Sequence, residues 1–296
     1  ALMSTISRWF FKRRGLAIAI VVSGAGIGGA IFPPVSAWLA LTYGWRFAWI
    51  ILGIIAIIFM TASGLLLKRE PGEVGQLPDG AREPKKLEEK KPSPGQSKGL
   101  MFSEALHTRQ FWLLSTILLC FGLDRGIIVH IAPHVSDIGF SPSIAANVLA
   151  VSAAVSIVGR LVMGQVADMI GGRRSFIIAF ILMPAAFLVI LMSRELWTLY
   201  LFAVLFGFAW GGLAVLRFTA ASELFGVRSL GAIMGIVEFF ATAGSGITPI
   251  VAGWLFDIKG NYKLVFLVLA IVGTIGFFMS WLLKPLVPVS SEREAI

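Results

Sequence analysis

A few ionisable side chains interrupt otherwise apolar runs, and any chemistry this chain performs must lie with them. A charged group at the centre of an apolar helix costs about 2.5–3.5 kcal/mol, so it faces a cavity or a partner. Arg160 belongs to the row Ser152–Ser156–Arg160–Gly164, whose spacing of four places small and polar groups on one helical face. A guanidinium there presents a planar, permanently charged fork that fits a carboxylate through two parallel hydrogen bonds. The competing reading is a simple tie to a neighbouring helix. Glu238 heads a second row, Glu238–Thr242–Ser245–Pro249. A carboxyl at that point can take up and release a proton, or it can pair statically with Arg160 or Arg217.

Asp124 and Arg125 are adjacent, so on a helix they point about 100° apart. One is expected to face a cavity and the other a neighbouring helix. His130 lies near the end of the same run; it is either a proton or substrate group or an interfacial histidine bonded to backbone or water. Arg217, near the end of its run, is expected to snorkel to water. Trp210–Gly211–Gly212 is either a flexible point or a site of tight packing. Asp168 lies within reach of Arg173 and Arg174 across a glycine turn, with Gly164 and Gly172 completing the pattern. Such a relay can latch one conformation and release it in another; a basic loop with a solvated aspartate is the plainer alternative. The candidate substrate-binding set is thus Arg160, Ser156, Asp124, Arg125 and His130. Glu238 and Asp124 are the candidates for proton coupling.

Membrane-spanning helices must position these groups. Eight apolar runs reach the length needed to cross a bilayer, at roughly 16–41, 45–67, 111–132, 144–167, 175–193, 197–220, 230–254 and 264–284. Lipid offers no partner to an unpaired backbone group, and the runs lack the short alternation of outer-membrane strands. The fold class is therefore an all-α polytopic bundle. Residues 15–39 recur without a gap as 231–255, with Gly15/Gly231, Gly28/Gly244, Pro33/Pro249 and Trp38/Trp254 in register. The runs between the copies give a period of six helices, an even number that keeps both copies in one orientation. Two spans precede the stretch 69–108, EPGEVGQLPDGAREPKKLEEKKPSPGQSKG and its surroundings, which reads as a flexible cytoplasmic linker. Six follow it, so 109–286 is expected to be a complete half. Residues 1–68 are then the remnant of the other half, with its first four helices missing, and 287–296 form a tail.

Composition agrees with this reading and excludes others. Hydrophobic residues make up 57% of the chain and charged residues 14%, about half the usual share of a globular protein. Mean hydropathy is +0.87. The net charge of +9 gathers on one side of the alternating spans, in the first residues, the linker, Arg173, Arg174, Arg228 and the tail. That is the positive-inside pattern, so it encodes orientation in a plasma (inner) membrane rather than a nucleic-acid surface. Cys120 is the sole cysteine and is expected to be an inert packing residue. The glycines lie within apolar spans and do not follow a strand, so no phosphate loop is expected. No cofactor, metal or catalytic motif is recognisable.

Three segments carry a family resemblance. GRLVMGQVADMIGGRR (159–174) resembles the interhelix loop motif of the major facilitator superfamily, through the core Gly164, Asp168, Gly172, Arg173 and Arg174. RWFFKRRGLAIAI with the later YGWR, and VHIAPHVSDIGFS (129–141), resemble helix junctions of its monocarboxylate-porter and oxalate/formate-antiporter branches. The resemblance implies two six-helix halves that rock about a central site. It also implies a conformational role for the loop motif and a substrate-anion ligand at Arg160. The oxalate/formate branch carries a lysine where this chain has Ala241, and animal monocarboxylate porters carry an aspartate where it has Ser156. A singly charged acid then fits better than a dicarboxylate. The expected activity is secondary transport of small organic anions by proton symport or anion exchange. A carrier of neutral or cationic solutes and a non-transporting scaffold are the alternatives.

Overall fold

A computed structural model describes residues 5–6, 9–10, 13–66, 68, 71, 99–193 and 195–284. The expected tail and most of the expected linker lie outside the described residues, as does Arg194. Among the described residues the secondary structure is helical, apart from isolated bridge residues at Phe10 and between Gly99 and Gly226. The helices are α1 (Arg14–Tyr43), α2 (Trp45–Leu66), α3 (Phe102–Leu106), α4 (Arg109–Gly126) and α5 (Ile128–Asp137). They continue as α6 (Pro142–Ile170), α7 (Gly172–Leu191), α8 (Leu196–Phe225), α9 (Leu230–Lys259) and α10 (Lys263–Trp281). Among the described residues seven stretches are long and apolar enough to cross a membrane, from Trp45–Leu65 onward, with α4 and α5 together forming one. The first expected span coincides with α1.

Turn chemistry explains the boundaries. Gly44, Gly171, Gly226 and Gly260 end α1, α6, α8 and α9 with φ of 88°, 92°, 77° and 66°, a region open to a residue without Cβ. Ser141 caps α6 ahead of Pro142, which supplies the first-turn φ and lacks the N–H that would be orphaned there. The last ten residues of the expected linker are ordered. Met101 N–H donates to Glu104, Leu100 N–H donates to the Phe225 carbonyl, and Thr108 caps α4.

The six C-terminal spans pack in the spatial order α6–α8–α7–α10–α4–α9, and α1 lies on α6 and α8. Small residues allow these approaches, as expected where lipid supplies no hydrophobic drive between helices. A methyl group at Gly207 or Gly211 of α8 would strike the Ser152 or Ser156 carbonyl of α6. Gly122 and Gly126 of α4 meet Ala241, Ser245 and Thr248 of α9 in the same way. The core between the helices is rich in phenylalanine, with Phe111, Phe121, Phe176, Phe180, Phe187, Phe202 and Phe206 all buried.

Candidate functional site

Arg160 sits mid-length on α6 and is 6% exposed. One guanidinium nitrogen donates to the Val22 carbonyl of α1 at 3.3 Å, and its Nε is buried without a partner. The cation is therefore turned across the seam between α6 and α1, under-used as a donor. The expected single face of Ser152, Ser156, Arg160 and Gly164 is not what forms. A row of every fourth residue advances by about 40° per step around a helix of 3.6 residues per turn. Ser152 and Ser156 consequently face α8, and their hydroxyls donate to the Val148 and Ala153 carbonyls of their own helix. Gly164, two steps on, faces Gly15 of α1. Ser156 thus stands in a packing seam, on the α8 side of the helix.

Arg217 does not snorkel. Its guanidinium donates to Glu238 of α9 at 2.8 Å, with the two side chains 13% and 30% exposed, and it lies over the rings of Phe121 and Phe218. Arg217 lies as far from the end of α8 as Glu238 lies from the start of α9, so an antiparallel hairpin brings them level. The expected runs, ending at about 220 and starting at about 230, do not put them at equal depth; the helix ends at Phe225 and Leu230 do. Glu238 uses one oxygen; the other is buried without a partner. Arg217 is also in electrostatic range of Arg125 and Arg160. Arg125 of α4 and Arg160 of α6 thus both act on Arg217, which Glu238 pairs directly.

The neighbours Asp124 and Arg125 part as their angular offset requires. Arg125 reaches α9 and donates to the Ser245 hydroxyl at 3.1 Å. Asp124 is fully buried on the other side, near Gly273 of α10, and neither of its oxygens has a hydrogen-bond partner. His130 stands beyond a break in the span and contacts the Pro249 carbonyl and the Tyr262 hydroxyl, each at 3.0 Å. Burial, helped by the nearby Asp137 and Asp257 charges, raises the Tyr262 phenol above its ordinary range. Trp210–Gly211–Gly212 lies inside an unbroken α8, with Gly211 against Ser156 and Gly212 against Met163, which is tight packing.

The loop motif works differently from the expected relay. Asp168 accepts the backbone N–H groups of Gly15 at 2.7 Å and Leu16 at 3.0 Å, in the first turn of α1. First-turn amides have no partner in their own helix and carry the positive end of its dipole, so a carboxylate there is favoured. Asp168 points that way because it is one turn beyond Gly164, on the face that meets α1. Arg173 engages other helices: its side chain donates to the Trp281 carbonyl of α10, and its N–H donates to Glu223. Glu223 also takes the Gly172 N–H at 2.6 Å, giving α7 the same cap that Asp168 gives α1. Arg174 is exposed. A cap between distant helices has no local sequence pattern, so nothing near Glu223 announces it.

The sequence profile of the Major Facilitator Superfamily matches residues 1–133 and again residues 114–295. The chain belongs to the Major Facilitator Superfamily. Its curated relatives include Monocarboxylate transporter 13 of Rattus norvegicus, 27% identical over 282 residues, covering 90% of this chain and 59% of that protein. Monocarboxylate transporter 2 of Homo sapiens is 25% identical over 278 residues, with 90% and 58% covered. The chain spans about three-fifths of the length of the relatives it matches. Among solved structures, the superfamily transporter FucP in its outward conformation aligns with a TM-score of 0.62, at 14% identity, over 92% of this chain and 69% of that one. That likeness is one of fold.

Proposed function

We propose that the protein to which this chain contributes is a secondary carrier of small organic anions, monocarboxylates in particular. The observation that carries the reading is the excess of cations in the interior: Arg125, Arg160 and Arg217 against two carboxylates, Glu238 paired with Arg217 and Asp124 turned to the other side of α4. Glu238 occupies one guanidinium, and Arg160 keeps a buried Nε with no protein partner. An under-satisfied buried cation is costly unless something completes it, and a carboxylate does so with two charge-assisted bonds. The relatives named as monocarboxylate transporters support the same substrate class.

In this reading Arg160 holds the carboxylate, and Arg125 and Arg217 set the surrounding potential. Glu238 and Asp124 are the acids available for proton coupling; exchange against a second anion is the other mode. Residues 1–68 and 109–286 belong to two halves joined by the linker 69–108, in an inner membrane with linker and tail on the cytoplasmic side. Asp168 closes the cytoplasmic end by holding α1. The test is uptake of labelled lactate or pyruvate by the full-length parent and by Arg160→Ala. Loss of at least about 100-fold is expected, in line with removal of a buried charged hydrogen-bond partner. Unchanged uptake would remove Arg160 from the mechanism.

A further inference from the structure

At the end of the bundle opposite Asp168, one imidazole joins three elements across two weak points. The first weak point is the break between α4 and α5, where Ile127 separates the helices. The second is Pro249, inside α9, which cannot donate to the Ser245 carbonyl. The two lie side by side, because Gly126 packs directly on Ser245 and Thr248. His130, just past the break, contacts the Pro249 carbonyl through Nε2 and the Tyr262 hydroxyl through Nδ1.

These partners fix the tautomer. A carbonyl only accepts, so Nε2 carries the hydrogen, and in the neutral ring Nδ1 accepts from the Tyr262 hydroxyl. We propose that His130 is a proton-loading site, at which acid on this side of the membrane strengthens the tether between α5 and α9. The added proton enters on Nδ1 from the medium. The Tyr262 hydroxyl then turns to accept it and directs its own hydrogen toward solvent and the carboxylates nearby, while the bond to Pro249 becomes charge-assisted. Nothing is oxidised and no covalent bond between heavy atoms changes.

The surroundings accommodate the charge. Asp137 at the end of α5 and Asp257 on α9 both act on Tyr262. The Tyr262 phenol, itself raised out of its ordinary range, stays a hydroxyl throughout. His134 of α5 packs edge-on against Tyr262 and Phe266, and Tyr262 stacks on Phe256 at 4.5 Å, so the phenol is held for this contact. Lys259 ends α9 and Lys263 begins α10 on either side of the turn, while the adjoining half of α6, from Pro142 to Ala154, has no charged side chain.

The chain has three histidines, His107, His130 and His134, which makes the site directly observable. The full chain in lipid nanodiscs, labelled with 15N-histidine, would be titrated from about pH 8 to about pH 5, with His107→Gln and His134→Gln for assignment. The expected result is that the His130 Nδ1 signal passes from bare to protonated while Nε2 keeps its hydrogen, and that Tyr262→Phe moves the midpoint. A ring that stays neutral throughout, or a midpoint indifferent to Tyr262→Phe, overturns the proposal. The transport consequence rests on the carrier reading: in the full-length parent, Tyr262→Phe should lose most of the stimulation of uptake by external acid. Equal stimulation in both proteins also overturns it. Absence of any carboxylate uptake by the unmodified parent would sink the carrier reading instead, leaving the nuclear titration to decide the proton site.

Discussion

The two ends of the bundle are held by different chemistry. At the basic end, carboxylates grip the first turns of helices: Asp168 on α1 and Glu223 on α7. At the opposite end, contacts are aromatic and imidazole-based, through His130, His134, Tyr262, Phe256 and Phe266. The first kind is local, ionic and all-or-none, since a carboxylate either caps a helix start or leaves it. The second is spread over several rings and can slide. On the proposed carrier reading, the basic end should release abruptly and the opposite end yield by degrees.

The contrast can be broken most severely at the crossing itself. Gly15→Val would drive a side chain into the Gly164 backbone, with no room to relax. Overpacking of this kind costs about 1–3 kcal/mol, so α1 should separate from α6 and the basic end should open. Maleimide labelling of cysteines introduced at that end would report it, and labelling equal to the unmodified protein would contradict the described crossing. Asp168→Asn keeps the shape and removes the charge. Its two charge-assisted bonds to Gly15 and Leu16 weaken by about 1–2 kcal/mol, so labelling should rise about tenfold while the fold persists. Glu223→Gln tests whether every cap at this end is equivalent. It joins α8 to the start of α7 and does not touch α1, so it should lower the thermal midpoint by a few degrees, for a loss of about 1 kcal/mol, and leave labelling nearly unchanged. A large rise in labelling would mean that the two carboxylates form a single latch.

Much of the fold was legible because apolar length and lipid together leave few choices. The spans follow from runs of residues: among the described residues seven of the eight expected runs coincide with helices long and apolar enough to cross a membrane, and α1 lies where the eighth was expected. Individual contacts were legible only in part. Arg125 and Asp124 diverge as adjacent helical residues must, and Arg217 is one of the two static partners expected for Glu238. The serine row misled, because a four-residue spacing looks straight in sequence and winds in space, so Ser156 and Arg160 face different neighbours. Asp168 and Glu223 escaped for another reason. Their partners are backbone amides of distant helices, and a backbone amide has no residue type to recognise.

One hydroxyl has a consequence for how the protein is built. The break after Gly126 withholds the Leu123 carbonyl from its own helix, and Thr248, 125 residues further along, donates to it at 2.7 Å. An orphaned carbonyl is not tolerated in hydrocarbon, so before α9 arrives the segment from Arg109 to Asp137 is best served by a single straight rod. The bend after Gly126 should therefore depend on α9, and a chain stopped short of Thr248 is expected to insert this span with less of it.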